Sequence, residues 1–230
     1  MFSLIPMILI IKNYKSPPYT KHADSLFIAP YLKLLGITSS LFTYLLVLLE
    51  GMFIIGSFYY LGAYIAKTYH FNYLLIGLIM TAFGLMTVVG GRLSGKLSRK
   101  TNPRKILTVG LLLAVSADGL IYFFGQTIWG LVAGVGLLGL GFIFTHSTLL
   151  TRATEFAMKA RGAAMSLVAF CFMGGGGAGT AIGGKIAMAY GLSTLFGIYG
   201  LALAVTLILS FILIAGPFAA TQLVPSTKTP

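Results

Sequence analysis

The sequence predicts an all-α membrane protein of six transmembrane helices, and three observations carry that prediction. Hydrophobic residues make up 57% of the 230-residue chain and charged residues only 9%, where soluble domains carry roughly 25% charged residues. Mean hydropathy is +0.95. Such a chain has too little polar surface to face water on all sides, and too much apolar surface to stay unfolded, so a soluble enzyme and a disordered segment are both excluded. Six runs are also long and apolar enough to span a bilayer, which takes ~20 residues at 1.5 Å rise each. None of them alternates polar and apolar at every second residue, as a barrel strand does. Finally, 29 residues are glycine, roughly twice the ordinary share, as expected where helices pack closely in lipid.

In chain order, residues 1–11 are apolar but too short to span. Positive charge follows this stretch, at Lys12 and Lys15, whereas a signal peptide carries it in front. The segment reads as an interfacial stretch or the tail of a preceding helix. Residues 12–40 are polar and Pro-containing and read as a cytoplasmic linker. Residues 41–215 form the six-helix transmembrane domain, with spans at 41–66, 73–91, 106–124, 128–150, 163–187 and 192–215. Residues 216–230 read as a cytoplasmic tail.

Charge sets the orientation. If the N-terminal stretch is inside, 14 of the 16 Lys and Arg residues are inside, and only Lys67 and Lys185 are outside. The positive-inside rule then places both termini in the cytoplasm of a multi-pass protein of the cell membrane. The net charge of +12 thus encodes topology, with an anionic lipid leaflet as its partner, and no nucleic acid is expected. Tyr69, Tyr73 and Trp129 fall at outer span ends, where amphipathic rings favour the interface. Cys171 is the single cysteine, which excludes an internal disulfide framework and a Cys-rich zinc site.

A weak repeat links the halves of the domain. Val89-Gly90-Gly91-Arg92-Leu93 in the second span resembles Ile182-Gly183-Gly184-Lys185-Ile186 in the fifth. One basic residue ends its span inside and the other outside, as two three-helix units of opposite orientation require.

Intramembrane polar groups need a reason, since an ionised carboxylate at the bilayer centre costs about 2.5 kcal/mol or more. Thr43, Glu50, Ser57 and Tyr64 recur every seven residues, about two helical turns, and form one polar stripe expected to face a cavity. Glu50 reads either as a proton-titrating or substrate-binding carboxylate, or as a neutral hydrogen-bonding group between packed helices. Asp118 reads as structural, with Tyr122 one turn away as its partner. His146 reads as a packing residue or a charge switch. No His or carboxylate stands four residues from it, so no metal site is expected. Thr145, Thr148, Arg152 and Glu155 share a helical face, and Arg152 and Glu155 are spaced to pair. Gly175, Gly179 and Gly183, four apart, form a flat ridge for helix packing. No catalytic triad, paired carboxylates or phosphate-cradling loop is present, so neither an enzyme nor a cofactor is expected.

The loop between the second and third spans runs Gly91-Arg92-Leu93-Ser94-Gly95-Lys96-Leu97-Ser98-Arg99-Lys100-Thr101-Asn102-Pro103-Arg104-Lys105. It resembles the cytoplasmic signature loop of the major facilitator superfamily. Gly95 matches the opening glycine, Lys100 the first basic residue, and Arg104 and Lys105 the closing basic pair. Arg99 stands where the family has an acid, so the latch that this acid makes is weakened or rewired. Asn102 stands where the family has its second glycine, a change read as mild because Asn tolerates a left-handed turn. The stretch from Leu49 to Gly62 is similar to the seventh helix of drug- or sugar-efflux members. His146 to Glu155 and Arg161 to Leu167 are similar to their tenth and eleventh helices.

The resemblance implies the C-terminal half of a twelve-helix transporter, itself a 3+3 inverted repeat. It implies a small-molecule substrate held between two six-helix halves, and efflux driven by proton entry as in an antiporter. Glu50 is the first candidate for the proton or substrate site, with Arg152 and Glu155 as gate charges. A separate N-terminal six-helix half or a homodimer would complete the fold. The rival expectation is a non-transporting membrane protein, either a truncated remnant or an assembly subunit.

Overall fold

A computed structural model of the chain describes residues 28–157 and 160–213. The expected N-terminal segment 1–11, the linker up to residue 27 and the tail 216–230 lie outside the described residues. A short helix α1 (Ala29–Gly36) precedes six long ones: α2 (Thr38–Tyr69), α3 (Tyr73–Ser98), α4 (Pro103–Phe124), α5 (Ile128–Glu155), α6 (Arg161–Tyr190) and α7 (Leu192–Leu213). All six are long and apolar enough to cross a membrane, and there is no strand among the described residues. The fold is therefore all-α with six transmembrane helices.

Helix ends carry the local chemistry that the sequence supplies. Asn72 accepts from the Leu75 N–H at 3.0 Å and Thr127 from the Gly130 N–H at 3.3 Å, starting α3 and α5. These side chains satisfy backbone donors that have no partner in the first turn. α6 ends at Gly191, whose φ of 90° is open to glycine and strained for other residues.

Several spans run past the expected ends, because hydropathy registers only the hydrocarbon part of a helix. α3 continues to Ser98 and carries Arg92 and Lys96 on its last turns. At 26 residues it is about 39 Å long. α5 likewise continues to Glu155. The stretch read as linker holds α1 and the first residues of α2. Pro30 sits in the first turn of α1, where its missing N–H costs no hydrogen bond. Asn102 departs from the expectation of a left-handed turn. Its φ is −58°, and its side chain caps α4 by accepting from the Arg104 N–H at 3.0 Å. A helix beginning at Pro103 needs an N-cap there, and Asn is a preferred one.

The middle of α2, Gly51–Ile55, is wound as a π-helix. It lies directly on α6. A methyl at Gly51 would fall on the Phe172 carbonyl oxygen, at Gly175 on that of Leu48, and at Gly179 on that of Met52. The two backbones thus touch through three glycines. Gly183 instead lies under the Tyr60 and Tyr199 rings. Tyr60 donates to the Thr180 carbonyl at 2.5 Å and Tyr199 to that of Gly179.

The repeat has a structural counterpart. α6 packs along α2, and α3 packs along α5. Exchanging the first three spans with the last three interchanges these two contacts. The central glycines of the repeated motif make equivalent approaches, Gly90 to Leu140, Ile143 and Phe144 of α5, and Gly183 to Tyr60 of α2. α2 and α5 form the core, each with 50% of its apolar window buried, against 17% for α3 and 22% for α6.

Candidate functional site

The polar stripe of α2 is real, but it is not wet. Thr43, Glu50 and Ser57 are 0% exposed and Tyr64 is 4% exposed. The expectation that the stripe faces a cavity is therefore corrected for Thr43, Glu50 and Ser57, which are sealed, while Tyr64 borders a cleft. Each of the first three members meets a polar side chain from another helix. Burial of unpaired polar groups is costly, so pairing is the condition for placing them in the core.

At the first level, Arg152 Nε of α5 donates to Thr43 Oγ1 at 3.0 Å, and the Arg152 guanidinium lies 5.5 Å from the Phe156 ring centre. Arg152 is buried whereas Glu155 is exposed. The face expected to hold Thr145, Thr148, Arg152 and Glu155 together thus divides. The first three are buried and Glu155 lies on the surface. Arg152 and Glu155, three residues apart, still act on each other electrostatically, as that spacing allows.

At the second level, one turn before the π-helical stretch ends, Glu50 Oε2 and His146 Nδ1 are 3.2 Å apart. This is the one carboxylate–basic ion-pair contact among the described residues. The Glu50 side chain is fully buried, while 22% of the His146 side chain is exposed. Glu50 Oε1 is buried and has no hydrogen-bond partner among the described residues. The imidazole is framed by aromatic rings. Phe142 stacks on it at 5.2 Å and 25°, and Phe172 of α6 approaches at 4.7 Å. The aromatic chain continues from Phe142 to Phe83 of α3 at 5.7 Å and on to Phe58 of α2 at 4.4 Å.

At the third level, Ser57 Oγ donates to Asp118 Oδ2 of α4 at 2.9 Å. Asp118 is 0% exposed, and its Oδ1 is also without a hydrogen-bond partner among the described residues. The expected partner Tyr122 points elsewhere: it is 41% exposed and packs beside Gly197 of α7. Tyr64 sits further along α2, edge-on to Phe196 at 5.2 Å. It lines a cleft of about 310 Å³ with Lys67, Thr68, Gln126 and residues 190–193.

The structure therefore gathers Glu50 and His146, and separately Ser57 and Asp118. It leaves Gly95, Arg99, Lys100 and Lys105 exposed at the α3–α4 turn, with Arg104 half-buried at the start of α4. A methyl at Gly95 would meet nothing within 4 Å among the described residues, so this glycine is not needed for packing against them. Gly175 and Gly179 lie against α2 at Leu48 and Met52, the residues two before and two after Glu50. Among the described residues, no three His, Cys, Asp or Glu side chains converge as a metal site would require.

Reading the sequence missed the aromatic frame. Phe142 and His146 are four apart on one helix, so their contact was there to be found. Phe83, Phe58 and Phe172 come from three other helices and leave no local signal.

No curated protein is similar enough to the chain to count as a match. A family model described as the Major Facilitator Superfamily matches residues 8–229. That match covers nearly the whole chain, and the six spans are consistent with half of that family's fold. The chain belongs to the Major Facilitator Superfamily of membrane transporters.

Proposed function

We propose that the chain acts as one half of a proton-coupled exporter of a small molecule such as a drug or sugar, with the Glu50–His146 pair carrying the coupled proton. It works in the cell membrane with both termini cytoplasmic, opposite a second six-helix unit that is either a separate N-terminal half or another copy. The supporting observation is the pair itself: a fully buried carboxylate bonded to an imidazole whose ring is partly open. Intramembrane ionisable residues mark ion and substrate paths, and an imidazole changes charge in the physiological range. His146 gives protons the access that the sealed stripe of α2 denies them. The Arg152–Thr43 bond, joining α5 to α2 at the positively charged end, serves as the inner gate. With Arg99 in place of the family's acid, this bond takes over part of the latching.

The test is reconstitution. The chain is purified in mild detergent with any six-helix partner it retains, placed in liposomes, and given a pH gradient. Substrate-evoked proton movement is followed with a trapped pH dye across a panel of drugs and sugars. Glu50→Gln should end proton-driven flux while leaving downhill substrate exchange largely intact. Full gradient-driven flux in Glu50→Gln would exclude the coupling role. An absence of flux from every oligomeric form would favour the assembly-subunit reading.

A further inference from the structure

The sealed position of Glu50 makes it a positioning residue, and moves the point of contact to His146. Glu50 is fully buried, so nothing entering from the open face can touch it. When Glu50 is ionised it has no hydrogen to give, and in the 3.2 Å contact it then accepts while His146 Nδ1 donates. A neutral imidazole that donates through Nδ1 has its lone pair on Nε2. Nε2 makes no hydrogen bond among the described residues, and the ring belongs to a side chain that is 22% exposed. In that state the Nε2 edge is an acceptor that no described residue uses.

The surroundings of that edge are flat and apolar. Phe142 stacks on the imidazole at 25° and Phe172 lies 4.7 Å away. Phe83 extends the stack from Phe142 at 27°. All three phenylalanines are half-buried, so part of each ring is open. A ligand that continues such a stack is planar and aromatic, since offset and edge-on ring contacts are the favoured ones. The other titratable groups on the packed helices include Tyr44 of α2, Cys171 of α6 and Arg152 of α5. Arg152 of α5 reaches Thr43, and the ring makes no ion pair other than that with Glu50 among the described residues. Glu50 is the one charged group beside the ring among the described residues.

We infer that the Nε2 edge of His146, held by Glu50 and framed by Phe142 and Phe172, binds a planar aromatic molecule through an N–H or O–H donor of that molecule. The same lone pair takes the coupling proton when the molecule leaves. Nε2 has one lone pair, so it holds either the ligand's hydrogen bond or a proton. When the proton adds, the ring becomes an imidazolium with Nδ1 still donating to Glu50, and the ligand's donor is displaced. When the proton departs to the aqueous side, the lone pair is restored. This competition makes exchange of one for the other a property of a single atom. The inference rests on the proton-coupled reading above for the identity of the competitor, and not for the binding itself.

The probes are indole and benzofuran, which match in shape and differ in the N–H donor. Binding to the full chain in lipid nanodiscs is measured by saturation-transfer NMR, with empty nanodiscs as the blank, from about pH 8 to about pH 5, across the imidazole range. Indole should bind about tenfold more tightly than benzofuran at the alkaline end, the value of one hydrogen bond. That preference should vanish at the acid end. His146→Gln keeps a donor for Glu50 and an acceptor for the ligand but cannot titrate. It should retain the indole preference and lose its pH dependence. Equal binding of the two probes at every pH would overturn the inference, and so would an indole preference in the parent chain that does not change with pH. Indole binding as described, without proton-driven flux from any oligomeric form in liposomes, would sink the transporter reading and leave this inference standing. Unaltered proton-driven flux in His146→Gln would do the reverse.

Discussion

Glu50 and Asp118 occupy sites built alike, and they differ in what faces them. Both carboxyl groups are 0% exposed. Each has one oxygen in a hydrogen bond and the other without one among the described residues. Both sites draw on α2, seven residues apart, through Glu50 itself and through Ser57. Glu50 meets an imidazole that can carry the opposite charge and is partly open. Asp118 meets a serine hydroxyl, which cannot carry charge, in a place sealed by α7, where Gly200 lies against its Cβ. Burial alone therefore does not single out a coupling site. In the proposed coupling the chemistry of the partner and its exposure would do so, because a proton must both arrive and be accommodated.

The contrast can be broken from the partner side. His146→Leu leaves a buried carboxylate without its counter-group and should be the most damaging of these changes, by about 3–5 kcal/mol. Thermal unfolding in detergent would show this as a large loss of stability, and His146→Gln should recover much of it. If leucine is tolerated as well as glutamine, Glu50 does not depend on His146. Ser57→Ala removes a neutral donor from Asp118 and should cost less, about 1–3 kcal/mol. The same melts in the same detergent test the ranking, and an alanine more damaging than leucine would reverse the comparison.

Function should separate the two acids more sharply than stability does. Asp118→Asn keeps size and can still bond Ser57, so it should leave pH-driven flux within about twofold of the parent. Glu50→Gln, equally conservative, should abolish it. Parallel flux assays decide this: loss in both variants would make Asp118 part of the coupling path. The smallest effect concerns orientation. Ser98→Cys and Gln126→Cys should leave activity unchanged and label from opposite sides, Ser98→Cys from the cytoplasm and Gln126→Cys from outside. Labelling of Ser98→Cys by an impermeant reagent in intact cells would invert the topology, and with it the side from which His146 is reached. A further check follows from the same architecture. A site shared between two six-helix units needs both, so the chain held as a monomer should show no saturable uphill transport in liposomes, and robust transport by a monomer would overturn the half-transporter reading.

What could be read along the chain was whatever depends on near neighbours. Six apolar runs, the charge bias that orients them, the heptad spacing of Thr43, Glu50, Ser57 and Tyr64, and the matched glycine motifs are all local patterns, and hydrophobic periodicity follows from helix geometry alone. The transporter family was legible for the same reason, from short motifs in order. Pairing was not. His146 lies 96 residues from Glu50, Asp118 lies 61 from Ser57, and Arg152 lies 109 from Thr43. Which residues meet depends on how far each helix is rotated and how closely it approaches its neighbour. In this protein the approach of α6 to α2 is set where Gly51, Gly175 and Gly179 let two backbones touch at a π-helical turn. A shift of one residue in that contact would turn α2 by about 100° and point the stripe at different partners. The same distance explains why Tyr122, one turn from Asp118, looked like its partner and was not. Sequence determined which groups had to be paired, because burying them alone is too costly. Only the tertiary packing decided with whom, because that depends on how each helix is rotated against its neighbours.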